Sequence, residues 1–435
     1  MPDPAAPPFK DLLTLFARVG VLGFGGPAGQ IALMHRMIVD ERRWMAEDRY
    51  LAALNFCMLL PGPEAQQLAT YIGWYLHGIR GGIAAGVLFV LPGFLLITAI
   101  ASVYAAFGDV PLVQAVFFGL KAAVLAIVVE ALLRIARRAL TGRLAVALAG
   151  GAFIAIFAFA APFPLIVLAA GLIGAIVGTT APLSPREPAP AAISLGATIG
   201  TALTWLAVWA ALPLAMVLAA GPDTVYARLA AFFSTMAVIT FGGAYAVLAY
   251  VAQAAVETYG WLTAREMLDA LAMAETTPGP LILVLVFVGY LAGFRAPGPL
   301  DPVAGGLLAA LVTAWVTFAP SFLWIFVGAP YVERILRSPR LKAALSAVTA
   351  AVVGVILNLT VWFGLHVLFG TVTRYEAGPI AMPIPVPGTL DIAAAGLSVL
   401  AAVMVFRLKA SLTVTLSASA LLGLAVTFGL SYIGF

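Results

Sequence analysis

The sequence predicts an all-α polytopic membrane protein made of two inverted-topology repeats, with broken or re-entrant helices meeting near the membrane midplane. Three observations predict it: an apolar composition cut into helix-length runs, an internal repeat, and basic loops at opposite ends of corresponding helices. Of 435 residues, 63% are hydrophobic and only 10% are charged, so the chain cannot pack as one water-soluble globule without exposing large apolar faces. The apolar residues form runs of roughly 18 to 28, long enough to cross a ~30 Å hydrocarbon core as helices rising ~1.5 Å per residue. Strands of a membrane β-barrel alternate polar and apolar residues, and these runs do not. The lipid bilayer is therefore the expected surrounding of most of the chain.

The formal charge of +4 is small and scattered, which excludes a nucleic-acid surface. The single cysteine, Cys57, lies inside an apolar run and reads as a buried, inert thiol. Residues 1–11 are Pro-rich and carry Asp3 and Asp11. They lack the basic start and apolar core of a signal peptide and read as a short tail.

The repeat organises the rest. Phe24-Gly25-Gly26 aligns with Phe241-Gly242-Gly243, Trp44 with Trp261, and Pro61-Gly62-Pro63 with Pro278-Gly279-Pro280, at an offset of 217 each time (241−24, 261−44, 278−61). Three landmarks in one ungapped register mark a fused duplication. The expected organisation is a first repeat over 12–178, a Pro-rich cytoplasmic linker over 179–191, and a connecting transmembrane helix plus the second repeat over 192–435.

Within each repeat the helices are interrupted. Residues 12–25 would span only ~21 Å as a helix. The break Gly25-Gly26-Pro27 follows, then a short run over 28–39 and a charged loop over 40–49. The same device recurs at once, with a run over 50–60, the break Pro61-Gly62-Pro63, and a run over 64–76. Backbone groups freed by such breaks must face protein or a wet cavity. The segments can be drawn as re-entrant hairpins or as single kinked crossings. The hairpin drawing is favoured because it puts Lys10, Arg42, Arg43, Arg49 and Arg80 on one, cytoplasmic, side.

Orientation follows from two basic loops. Arg134, Arg137, Arg138 and Arg143 follow the span over 112–133, whereas Arg334, Arg337, Arg340 and Lys342 precede its counterpart over 343–366. If both loops are cytoplasmic, corresponding helices run in opposite directions and the repeats are inverted, a plan in which secondary transporters hold substrate near the midplane.

Helix N-termini attract anions through unsatisfied N–H groups and the helix dipole. The N-termini after Gly25, Gly26 and Pro27, after Pro61, Gly62 and Pro63, after Gly242 and Gly243, and after Pro278, Gly279 and Pro280 are thus expected to form a substrate site for a small inorganic anion. A single Gly-Pro break would read as a helix kink; four in two-fold register read as a site. Arg18 and Lys121, charged within apolar runs, are candidates to counter a substrate's charge, and Glu64 and Glu275, beside the breaks, to carry a coupling proton. The plainer alternatives are internal ion pairs, such as Glu130 with Arg134, and snorkelling; Lys342 recurs opposite Lys121 at its span's edge, where snorkelling and function fit equally. Gln66, Gln67, Thr70 and Tyr71 could line a polar path after the first Pro-Gly-Pro, where the second repeat has Leu281 to Val284 instead. His35 and His77 have no partner at ligand spacing, so no metal, cofactor or catalytic set is expected. Gly82 and Gly86 form a small-xxx-small pair that fits either a homodimer or packing within one chain.

Phe24-Gly25-Gly26-Pro27, Trp44 after a charged loop, and the string from Pro61 to Trp74 (PGPEAQQLATYIGW) resemble the chromate ion transporter family. Its long-chain members are likewise fused duplications, and the resemblance covers essentially the whole chain. It implies export of chromate from the bacterial cytoplasm across the inner membrane, conferring resistance, with sulfate as the chemical analogue. Ala244 stands where the first repeat has Pro27 and departs from the doubled motif. Sulfate or molybdate transport is the alternative within this class, because N–H groups read charge and shape more than the central atom. A membrane lipid-diphosphate phosphatase would need acidic metal ligands beside a nucleophile or base, and the breaks offer only Glu64 and Glu275. A scaffold or receptor would not require four midplane breaks.

Overall fold

The computed structural model describes residues 7–23, 26–177, 194–241, 244–277, 279–332, 338–378 and 380–433. The expected linker over 179–191 and the loop carrying Arg334 and Arg337 lie outside the described residues. Among the described residues six helices are long and apolar enough to cross a membrane: Glu64–Phe107, Pro111–Ala139, Leu195–Ala220, Pro302–Tyr331, Pro339–Leu368 and Leu412–Gly429. The chain is thus an all-α polytopic membrane protein, as its composition predicts.

In chain order the helices begin with α1 (Phe9–Leu22), α2 (Gly26–His35), α3 (Glu47–Cys57), α4 (Glu64–Phe107) and α5 (Pro111–Ala139). There follow α6 (Arg143–Phe159), α7 (Phe163–Val177), α8 (Leu195–Ala220), α9 (Val225–Ile239), α10 (Ala244–Gln253) and α11 (Ala264–Thr276). Then come α12 (Val284–Arg295), α13 (Pro302–Gly328) and α14 (Pro339–Leu368), a hairpin of β1 (Val372–Ala377) and β2 (Ile380–Pro385), and finally α15 (Ile392–Ala402) and α16 (Leu412–Ile433). Two compact units emerge: Met1–Ala101 with Gly171–Ala244 and Thr277–Leu345, and Ser102–Ala170 with Tyr245–Thr276 and Ser346–Phe435. Each unit takes chain from both sequence repeats.

Equivalent positions of the repeats fold alike. A π-helical turn at Arg36–Glu41 ends α2, and another at Ala254–Thr258 ends α10. In the first, the Trp44 N–H donates to the Ile38 carbonyl at 2.8 Å; in the second, Trp261 donates to Ala255 at 2.8 Å, 217 residues on.

In the first unit α4 is broken at His77 and at Gly78, whose φ is +63°. Its leg before the break folds back, because Gly73 and Gly81 approach so closely that a Cβ on either would strike the other's carbonyl. In one straight helix, positions eight apart would be separated by ~12 Å. The second repeat makes the same turn between α12 and α13, where Gly293 meets Gly305. Every residue of α12 from Val284 to Gly293 is buried, as expected of a helix that is apolar all round. Gly82 and Gly86 lie against the rings of Phe326 and Phe322 of α13. That small-residue face therefore packs within the chain and is not open to a second copy.

In the second unit α5 packs on α11, α15 and α16. Gly119 of α5 faces the Ser419 carbonyl and Gly423 of α16 with no room for a side chain, the close approach that small residues give membrane helices. Glu130 pairs with Arg134 at 3.4 Å, as their i,i+4 spacing predicts. Lys342 is exposed near the start of α14. The antiparallel hairpin pairs Thr373 with Ile384.

Candidate functional site

The breaks come together by backbone bonding inside the first unit. The Gly62 N–H donates to the Thr240 carbonyl at 2.8 Å, and the Gly279 N–H donates to the Gly23 carbonyl at 3.0 Å. Gly279 is Gly62 advanced by the repeat offset, and Thr240 is Gly23 advanced by the same offset. Each repeat's Pro-Gly-Pro is therefore tied to the other's first break, reciprocally. Both glycines require their missing side chain, with φ of +114° at Gly62 and +101° at Gly279, values that L-residues rarely adopt. Pro61, Gly62, Pro63, Gly279 and Pro280 are all buried, while Gly26 and Pro27, opening α2, are half-buried. Gly25, Gly242, Gly243 and Pro278 lie outside the described residues.

Uncharged polar side chains surround this junction. Gln66, Gln67 and Thr70 on the first leg of α4, and Gln30 on α2, are fully buried. Gln67 Nε2 donates to the Pro61 carbonyl at 2.7 Å, Gln66 Nε2 to Thr70 Oγ1 at 3.4 Å, and Gln30 Nε2 to the Gly23 carbonyl at 3.0 Å. A Cβ on Gly62 would lie 3.0 Å from Gln67 Nε2 and 3.4 Å from Ser321 Oγ of α13. The Oε1 atoms of Gln30, Gln66 and Gln67 and the Oγ of Ser321 are buried without a hydrogen-bond partner. Each such orphan costs ~1–3 kcal/mol, so four of them on three helices mark groups set to meet a polar ligand or water. The three glutamine atoms left without partners are acceptor oxygens, their N–H2 groups being held by the Pro61 and Gly23 carbonyls and Thr70, while the Ser321 hydroxyl can donate.

The charged candidates sit differently. Glu64 is half-buried as the first residue of α4, where the helix dipole favours a carboxylate. Arg18 is exposed on α1 and is not brought into the buried junction. Tyr71 is buried, its ring 6.3 Å from Phe56 and 5.7 Å from Trp74. The Glu275 side chain lies outside the described residues.

Lys121 belongs to the second unit and has a partner. Its ammonium lies 2.9 Å from Asp269 Oδ1 on α11, with side-chain exposures of 14% and 3%. The Tyr104 hydroxyl, at the end of α4, donates to Asp269 Oδ2 at 2.6 Å. Sequence reasoning missed Asp269. Its sequence signal was weak, because α11 also carries Arg265, Glu266 and Glu275 and Asp269 stands out only by its apolar neighbours Leu268 and Ala270.

His35, read from sequence as partnerless, bridges two acids: Nε2 lies 2.7 Å from Glu47 and Nδ1 3.4 Å from Asp40. One ligand atom from each of His35, Asp40 and Glu47 lies within 4.8 Å of the others.

The family model for chromate transporters matches residues 10–175 and 227–424. The chain is 31% identical over 399 residues to the probable chromate transport protein of Synechococcus elongatus, covering 88% of this chain and 94% of that protein. It is 34% identical to the chromate transport protein of Pseudomonas aeruginosa, over 82% of each. Against the chromate transport protein of Cupriavidus metallidurans it is 30% identical, over 81% of this chain and 82% of that one. No solved structure matches it.

Proposed function

The chain belongs to the chromate transporter family, and from that premise we propose that it exports chromate, a tetrahedral oxyanion, across the bacterial inner membrane as a secondary transporter. The observation that carries the site assignment is the reciprocal bonding of the two Pro-Gly-Pro segments to Thr240 and Gly23. Helix N-termini near these breaks, the buried glutamines of the first repeat and the Ser321 hydroxyl of the second support the reading of one polar region there. Such a region holds an oxyanion through N–H groups without the desolvation cost of a buried formal charge. Gln30, Gln66, Gln67 and Ser321 complete the shell, and the repeats rock about it to expose it to either side in turn.

Export is electrically downhill. A dianion leaving a cell with an inside-negative potential gains ~4.6 kcal/mol per 100 mV, twice the ~2.3 for one charge. Everted membrane vesicles containing the protein should take up chromate, and excess sulfate should slow that uptake, because an N–H cage reads shape and charge rather than the central atom. Vesicles with verified insertion and no chromate uptake above the empty-membrane level would overturn the assignment.

A further inference from the structure

We propose that the second unit binds the anionic headgroup of a membrane phospholipid in a cavity of about 670 Å3 between the C-terminal end of α5 and the segment joining α15 to α16. Arg134, Arg137 and Arg138 line it from α5, and Lys409 lines it from the joining segment. Only Arg134 is neutralised, by Glu130 at 3.4 Å; among the described residues Arg137, Arg138 and Lys409 have no carboxylate partner. Three uncompensated cations therefore share one concavity, an arrangement that repels itself until an anion enters. Topology alone accounts for arginines at this end of α5. Lys409, from a distant part of the chain, joins them in the same cavity.

The joining segment is shaped to deliver that lysine. Lys409 has a φ of +49°, a left-handed conformation that non-glycine residues adopt only when their surroundings hold it. The neighbours do so: the Leu408 N–H donates to the Val403 carbonyl at 3.1 Å and the Ala410 N–H to the Met404 carbonyl at 3.0 Å.

The rest of the lining selects a lipid over a free oxyanion. Leu133 and Phe406 border the cations and are 43% and 40% exposed, so charge and an apolar wall are adjacent, as headgroup and acyl chain are. The volume falls within the ~300–1,000 Å3 of cavities that hold drug-sized molecules, far beyond what a four-oxygen anion fills. Basic pockets between membrane helices are a recurrent way to hold anionic lipid headgroups.

The test uses full-length protein in mild detergent, titrated with short-chain phosphatidylglycerol, with phosphatidylcholine of the same chain length, or with inorganic phosphate, reading thermal stabilisation. Phosphatidylglycerol should stabilise the wild type and phosphatidylcholine should not. Arg138→Gln with Lys409→Gln should raise the midpoint concentration ~25-fold, at ~fivefold per cation. If that pair fails to fold, Lys409→Gln alone should raise it ~fivefold. The charge-keeping pair Arg138→Lys with Lys409→Arg should bind like wild type. An unchanged midpoint in the glutamine variants, or equal stabilisation by phosphatidylcholine, would overturn the proposal. So would inorganic phosphate reproducing the shift, which would make the cavity a free-oxyanion site.

Discussion

Removing the carboxylate of Asp269 should cost the protein more than removing both charges of its ion pair. Asp269 holds the Lys121 ammonium at 2.9 Å and the Tyr104 hydroxyl at 2.6 Å, and the side chains of the pair are 3% and 14% exposed. Asp269→Asn keeps the shape and an acceptor for Tyr104 but leaves a nearly buried ammonium uncompensated, a change that typically costs ~3–5 kcal/mol. Lys121→Met with Asp269→Leu removes both charges and the desolvation each suffers, so the double variant should be within about 1 kcal/mol of wild type. The pairwise coupling energy is then ~3 kcal/mol or more, which a double-mutant cycle by denaturant unfolding in detergent can measure. Chromate flux separates stability from function. If Lys121 acts on the substrate, the neutral double variant should be stable and inactive, and the exchanged pair Lys121→Asp with Asp269→Lys should also be stable and inactive. Wild-type stability in Asp269→Asn would refute the uncompensated-charge reasoning. Recovered flux in the exchanged pair would make the bridge purely structural.

Other outcomes follow from the junction and the topology. Gly62→Ala and Gly279→Ala should each lose ~1–3 kcal/mol from backbone strain alone, and Gly62→Val should insert yet transport nothing, because its side chain meets Gln67 and Ser321; wild-type flux in Gly62→Val would take the Pro-Gly-Pro out of the site. Gln67→Leu should raise KM for chromate ~10- to 100-fold with unchanged membrane content, the equivalent of ~1–3 kcal/mol for one buried hydrogen-bonding group; an unaltered KM would place the substrate elsewhere. For inverted repeats, single cysteines in a Cys57→Ser background should be labelled by an impermeant thiol reagent in intact cells at Asp109 and Thr373 and protected at Thr141 and Ser338. Positions 141 and 338 on opposite faces would make the repeats parallel.

The positions of the breaks that frame the proposed site were legible because they depend on local chemistry. Adjacent glycines and prolines break these helices locally, so α2 and α4 open at Gly26 and Glu64, directly at the predicted breaks, whereas single prolines such as Pro92, Pro213 and Pro320 stay inside helices. Gln66 and Gln67 were legible as polar residues in an apolar run, and both are buried. Arg18 was singled out for the same local reason. Its position in an apolar stretch carries no information on which way its face of α1 turns, and that face is exposed. Gln30 and Ser321 gave no signal, since neither lies in a repeated motif and each matters only through what it approaches. The β1–β2 hairpin was likewise illegible, its strands being short and the second interrupted by Pro383.

By itself, then, the sequence determined the solvent, the segmentation into spans, the duplication and the places where helices break, because hydropathy, chain stiffness and residue register are properties of a segment and need no partner. Tertiary structure alone decided which carbonyl each Pro-Gly-Pro glycine meets, that Gly82 and Gly86 pack on Phe326 and Phe322 of the same chain, and that Lys121 is answered by Asp269. Those partners come from distant parts of the chain, and a pairwise contact between distant residues leaves no periodic trace in either one's neighbourhood; only the folding back of the legs at Gly78 and between α12 and α13, and the packing of α5 on α11, bring them within bonding distance.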